Sequence, residues 1–121
     1  MNTDPMRATD FLRQLRTAVP EMTPFVDAHL EEYGELLLHV LLSDLRRELW
    51  ERFQTSDVDV VRRGLTLLDH ALVTGDDTVA NAVALSFVEG GDWHDPATRP
   101  FFDCWPPELQ AELERQRTWE P

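Results

Sequence analysis

Between Leu36 and Phe53 the chain sets Leu38, Leu41, Leu42, Leu45, Leu49 and Phe53 at steps of three and four, with Leu36, Leu37 and Val40 widening the stripe. A stripe that broad at a period of 3.6 residues predicts a helix from about Glu35, contacted from two sides. The rest of the chain repeats the pattern, and strand alternation is hard to find. Phe11, Leu12, Leu15 and Val19 mark a first helix over residues 8 to 19, stopped by Pro20. Thr23 and Pro24 read as an N-cap with proline at the first helical position, ahead of Phe25, Val26, Leu30 and Tyr33, and Gly34 ends that helix. Ser56 or Asp57 is placed to cap a helix carrying Val58, Val61, Leu65, Leu68 and Leu72 up to Gly75. Asp76 or Asp77 is placed to cap a fifth, whose run from Val79 to Val88 has so few polar positions that it should be the most buried. Residues 90 to 100 read as a loop, Phe101 to Trp105 as a short turn of helix, and Pro106 and Pro107 open a last, charged helix through Trp119. The expected fold is all-α, one domain over residues 1 to 121, an antiparallel bundle or stack of about five to six helices.

Charge narrows the partners. Eleven arginines, no lysine and 23 acidic residues give a net charge of −12. Binding to nucleic acid or anionic lipid by phosphate neutralisation needs the opposite sign, so neither is expected, and the charge favours a basic partner, a cation, or solubility alone. Residues 1 to 55 hold six arginines against ten acids, and residues 56 to 121 five against thirteen, so the surplus grows toward the C-terminal half. Some of these acids are helix caps, but the excess is larger than capping requires. The single cysteine, Cys104, forms no internal disulfide, and no secretory signal or run of about 20 apolar residues is visible. A cytoplasmic location is the expectation.

Three groups of residues are candidates for function. Glu31, Glu32, Glu35, His39, Ser43 and Arg47 form a polar stripe on the second and third helices, in which positions 35, 39, 43 and 47 follow one another at i, i+4. Glu35 beside His39 would favour the imidazolium and suit acid–base chemistry or a weak metal site, although a histidine flanked by leucines is more often a hydrogen-bonded core or boundary residue, and partner contact is the other reading. The segment from Gly90 to Trp105 gathers Asp92, Trp93, His94, Asp95, Asp103 and Cys104. Asp92, His94 and Cys104 match no standard zinc spacing, and Cys104 with His94 lacks a placeable third residue for cysteine catalysis, so Asp95 as a cap and the tryptophans as covers for helix ends are the simpler reading. Trp93, Phe101, Phe102, Trp105 and Trp119 are aromatic groups of the kind that anchor interfaces or complete a small core, with Trp119 the one expected to be exposed.

At YGELLLHVLLSD, residues 33 to 44, and VANAVALSFVEG, residues 79 to 90, the chain resembles a family of small, acidic, all-helical bacterial proteins without a characterised activity, grouped with immunity proteins of polymorphic toxin systems. Tyr33, Leu36, His39 and Asp44 carry the first block and Asn81, Ser86, Phe87 and Glu89 the second, while Leu38 stands where that family has proline. The resemblance implies a class and no catalytic residues. Taken with the charge, it leads to the expectation of a non-enzymatic, cofactor-free and metal-free immunity-type protein that neutralises a cognate basic toxin domain. Glu31, Glu32, Glu35, His39, Asp92, Trp93, His94 and Asp95 are the expected contacts. The alternative is a structural or regulatory adaptor that dimerises or docks on a cellular protein, suggested by the broad apolar sector of the third helix together with Trp119.

Overall fold

The structure, a computed structural model, describes residues 4–89 and 95–119, with Trp119 described in its backbone only. These residues form seven α-helices and no strand, the single β-type contact being an isolated bridge between Met6 and Gly75. The helices are α1 (Ala8–Ala18), α2 (Thr23–Tyr33), α3 (Leu38–Gln54), α4 (Val58–Thr74), α5 (Asp77–Ala82), α6 (Arg99–Asp103) and α7 (Pro107–Trp119). A 3₁₀ turn, Pro20–Met22, precedes α2, and α5 widens into a π-helical segment, Val83–Val88. The count exceeds five to six because α6 closes as a helix of its own, and the π segment was not foreseen.

Two long helices organise the core. On α4, Val60, Val61, Leu65, Leu67, Leu68 and Ala71 are all buried, and the helix touches α1, α3, α5 and α7. The stripe on α3 is buried as expected at Leu38, Leu41, Leu42, Leu45 and Leu49, against α4 on one side and against α5 and the π segment on the other. Gly64 of α4 faces Leu49 of α3, and a methyl group there would lie 3.1 Å from Leu49 Cδ2, so the glycine makes room for that leucine. Val79, Ala82, Val83, Phe87 and Val88 bury one side of the fifth element, but Leu85 is more than half exposed, so it is not apolar all round. The amide of Glu89 donates to the Ala84 carbonyl at 3.0 Å, five residues back, which widens the last turn.

Several helix starts differ from the expected caps. Thr23 is itself helical and its side chain caps nothing. Asp57 stands at the N-cap of α4, but its carboxylate is turned back to Arg52 at 2.8 Å, across a turn in which Ser56 takes a φ of 64°. Asp76 does cap α5, accepting from the Val79 amide at 2.9 Å. The start of α7 is capped from a distance, Asp69 Oδ1 on α4 accepting from the amides of Glu108 and Leu109 at 2.8 and 3.0 Å. Phe101, Phe102 and Trp105 join Phe87 in an aromatic cluster with ring centroids 4.8 to 5.9 Å apart. These three aromatics therefore complete the core.

Two polar contacts fix the chain at turns that matter below. Arg63 on α4 holds Glu21 through Nη1 and Nη2, at 2.9 and 2.6 Å, and donates to the Ala18 carbonyl at 2.9 Å, tying the α1–α2 turn to the hub helix. At the far end of α2, Gly34 adopts the left-handed conformation (φ 71°) and its amide closes on the Leu30 carbonyl at 2.8 Å. The chain then runs without helix through Glu35 and Leu36 before α3 begins at Leu38. The Leu37 amide donates to Nε2 of His29, buried on α2, at 3.0 Å. Nε2 must carry a lone pair to accept that hydrogen, so the imidazole is neutral with its proton on Nδ1.

The Arg63 guanidinium, hydrogen-bonded to Glu21, holds the Glu21 carboxyl down from an ordinary 4.5 to about 2. A carboxyl depressed in the folded state contributes stability at pH values above its unfolded pKa, and that contribution is lost as pH falls through the folded value. Between about pH 5 and pH 2 the wild-type protein should therefore lose more stability than Glu21→Gln, as read by urea denaturation at each pH; parallel losses would mean the contact does not persist in solution. His29→Phe keeps a ring at the corner and removes the acceptor for the Leu37 amide. It should lower unfolding stability by about 1 kcal/mol in denaturant titrations, and an unchanged midpoint would show that this bond does not hold the corner.

Candidate functional site

The corner between α2 and α3 collects the acidic residues singled out in the sequence. Glu31 and Glu32 lie on the last turn of α2 and Glu35 in the connection, all three exposed. None of the three takes a hydrogen bond or an ion pair among the described residues. Tyr33 stands between them at 40% exposure, its ring 4.9 Å from that of His29 below it. Tyr33 thus combines a partly exposed ring, packed on a buried histidine, with sequence neighbours whose carboxylates are exposed and unneutralised.

Its acidity results from how the arginines are spent elsewhere. Arg16 pairs with Asp27, Arg52 with Glu48 and Asp57, Arg62 with Asp59, and Arg63 with Glu21 and Asp59, all at 2.6 to 2.9 Å. Arg13 pairs with Asp10 and Arg115 with Glu112 within their own helices. Asp59, like Glu21, is held below the usual carboxylate range by the arginines bonded to it.

The expected i, i+4 stripe is shortened. Glu35 is not helical, because the left-handed Gly34 ends α2 and the chain needs Leu36 and Leu37 in non-helical conformation to enter α3, so Glu35 does not stand one turn before His39. His39, Ser43 and Arg47 do share a face of α3. His39 is exposed rather than a core residue, and its Nδ1 lies 2.7 Å from Ser86 Oγ on the π segment. Ser43 Oγ points to the Ser86 carbonyl at 3.4 Å. The two blocks that carry the family resemblance thus meet through His39 and Ser86.

Asp95 is exposed and turns its own chain, its carboxylate accepting from the Ala97 amide and its carbonyl from Thr98, each near 3 Å. Asp92, Trp93 and His94 lie outside the described residues, as does the side chain of Trp119. Cys104 donates its thiol hydrogen to the Phe101 carbonyl, and burial pushes its pKa up, so the sulfur is held as a thiol at neutral pH. Among the described residues no three His, Cys, Asp or Glu side chains are grouped as metal ligands, and no helix is long and apolar enough to cross a membrane.

Tyr33 is read from the sequence as part of an apolar helical face and of the first resemblance block, and His29 is not singled out there. A signal for His29 was present: Val26, His29, Leu30 and Tyr33 recur at core spacing, and a histidine there must find a hydrogen-bond partner when buried.

No curated protein and no solved structure matches the chain. One family model does, described as a domain of unknown function (DUF7674), over residues 12–120. That span takes in all seven helices but the first residues of α1, and the chain belongs to this family of domains of unknown function.

Proposed function

We propose that the protein is a non-enzymatic, immunity-type binding protein that neutralises a cognate basic toxin domain, and that the α2–α3 corner is the face it presents. The observation that carries this reading is the uncompensated set Glu31, Glu32 and Glu35 flanking half-exposed Tyr33 in sequence, in a chain of net charge −12 whose arginines are largely committed to internal pairs. Carboxylates in this position attract a cationic surface at a distance and orient it, which raises the association rate. Tyr33 then supplies apolar area and a hydroxyl at the centre, the part of an interface that governs dissociation. A corner stiffened by the Gly34 cap and the His29 bond loses little entropy when it docks. His39 and Asp95 belong to this reading as further contacts, as do Asp92, Trp93 and His94, which lie between the π segment and Asp95 in sequence. The resemblance at residues 33 to 44 points the same way, because that block contains Tyr33 and Glu35 of the corner.

The adaptor or homodimer alternative drew on the apolar sector of α3. Leu38, Leu41, Leu42, Leu45 and Leu49 are all buried within the protein, so these five leucines are not available to a second chain.

Co-expression with the product of the neighbouring gene tests the proposal. The two proteins should co-purify, and toxicity of the neighbour expressed alone should disappear when this protein is present. Reversing charge at the corner, with Glu31→Arg, Glu32→Arg and Glu35→Arg combined, should slow association at least about tenfold at low salt with unchanged unfolding stability, since all three side chains are exposed. Tyr33→Ala should act mainly on the dissociation rate. A harmless neighbour that does not co-purify, or a complex indifferent to the triple reversal, contradicts the reading.

A further inference from the structure

Among the described residues one polar or charged residue is buried: His29 on α2, 5% exposed. Only the neutral ring suits that place. Nε2 accepts from the Leu37 amide at 3.0 Å, across the turn that joins α2 to α3, and Nδ1 has no hydrogen-bond partner among the described residues. A proton added to Nε2 would occupy the lone pair that the Leu37 amide uses and set two N–H groups against each other. The ring would also hold its charge away from water, a costly arrangement for an ion without a hydrogen-bonded partner.

The charged groups on the elements around the ring are engaged elsewhere or lie at the surface. Of the elements packed on α2, α1 carries Arg13, paired with Asp10, and Arg16, which reaches α2 to pair with Asp27. The 3₁₀ turn carries Glu21, held by Arg63 of α4. His39, the first titratable group of α3, is turned to Ser86. On α2 itself and in the connection, Glu31, Glu32 and Glu35 are exposed, as is Tyr33, whose ring lies 4.9 Å from that of His29. The carboxylates without partners are therefore outside, where they favour an imidazolium that has left its place over one that stays in it.

We propose that His29 makes the α2–α3 corner an acid-operated switch. Neutral, the ring packs against Tyr33 and ties Leu37 to α2; protonated, it turns out toward the exposed carboxylates, frees the Leu37 amide and withdraws the support from Tyr33. An imidazole in water takes up its proton between about pH 8 and pH 5. The outward arrangement binds one more proton than the closed one, so the stability of the closed corner is present at neutral pH and is lost as pH falls through that range. Release of a docked partner in acid would follow, a consequence that rests on the function proposed above. The opening itself does not rest on it, and is tested on the free protein.

Amide hydrogen exchange of the free protein, corrected for the intrinsic pH dependence of exchange, reads the switch residue by residue. Between about pH 7.5 and about pH 5, above the interval in which the Glu21 contact is lost, protection of the Leu37 amide should fall at least about tenfold, while Leu65 and Leu68 in the core of α4 keep theirs. His29→Gln offers a side-chain carbonyl as acceptor and His29→Phe offers none, but neither side chain takes up a proton, so Leu37 protection in both variants should change by less than about twofold over the same interval. Three results would each overturn the proposal: wild-type Leu37 protection that changes by less than about twofold, an acid-induced loss that persists in either variant, or a loss at Leu65 and Leu68 equal to that at Leu37.

Discussion

The structure depends on the burial of α3 from two directions. A helix whose leucines must face both α4 and the π segment leaves its neighbours few choices. Helix α4 has to leave room for Leu49 at position 64, where it carries glycine. The fifth element has to follow α3 along its length, and its last turns widen to a π segment that brings Ser86 to His39. Helix α3 can begin no earlier than Leu38, because the chain arriving from α2 must first turn through Gly34. The acidic turn ahead of α3 is a by-product of this arrangement.

Charge adds a second level of organisation. With 23 acids and eleven arginines, no folded arrangement can neutralise every carboxylate. The arginines are spent where they tie elements together or staple a helix: Arg63 anchors the α1–α2 turn, Arg52 the α3–α4 turn, and Arg16 joins α1 to α2. Exposed pairs of this kind contribute little to stability individually. Their larger consequence is on the surface, because each arginine committed elsewhere is one fewer to offset Glu31, Glu32 and Glu35. An uncompensated acidic corner is thus the product of allocation as much as of composition.

Much of the fold could be read from hydrophobic spacing alone. The leucine steps of α3 and α4, the stops at Pro20, Gly34 and Gly75, the Asp76 cap and the proline start of α7 all rest on local chemistry, and local chemistry is what periodicity and capping report. The misread features share a different origin. Glu35 continues the helical pattern of α3 in sequence, but the chain turns through the left-handed Gly34 just before it, and the Leu37 amide is taken by His29, eight residues earlier. Asp57 looks like a cap and is instead claimed by Arg52, and α7 is capped by Asp69, which lies 39 residues before Glu108. The π widening likewise follows from packing against α3 rather than from any residue of its own. Of the site, the acidic cluster was visible as composition, whereas the brace under Tyr33 and the meeting of His39 with Ser86 required the tertiary arrangement.

Hydrogen–deuterium exchange on the complex with the neighbouring gene's product tests the central claim most directly, because it reports where a partner sits without altering any residue. Amides from Glu31 to Leu37 should exchange more slowly in the complex than in the free protein, with α7 unaffected. Protection confined to α7 or to α4, with the segment around Tyr33 exchanging as freely as before, would contradict the account.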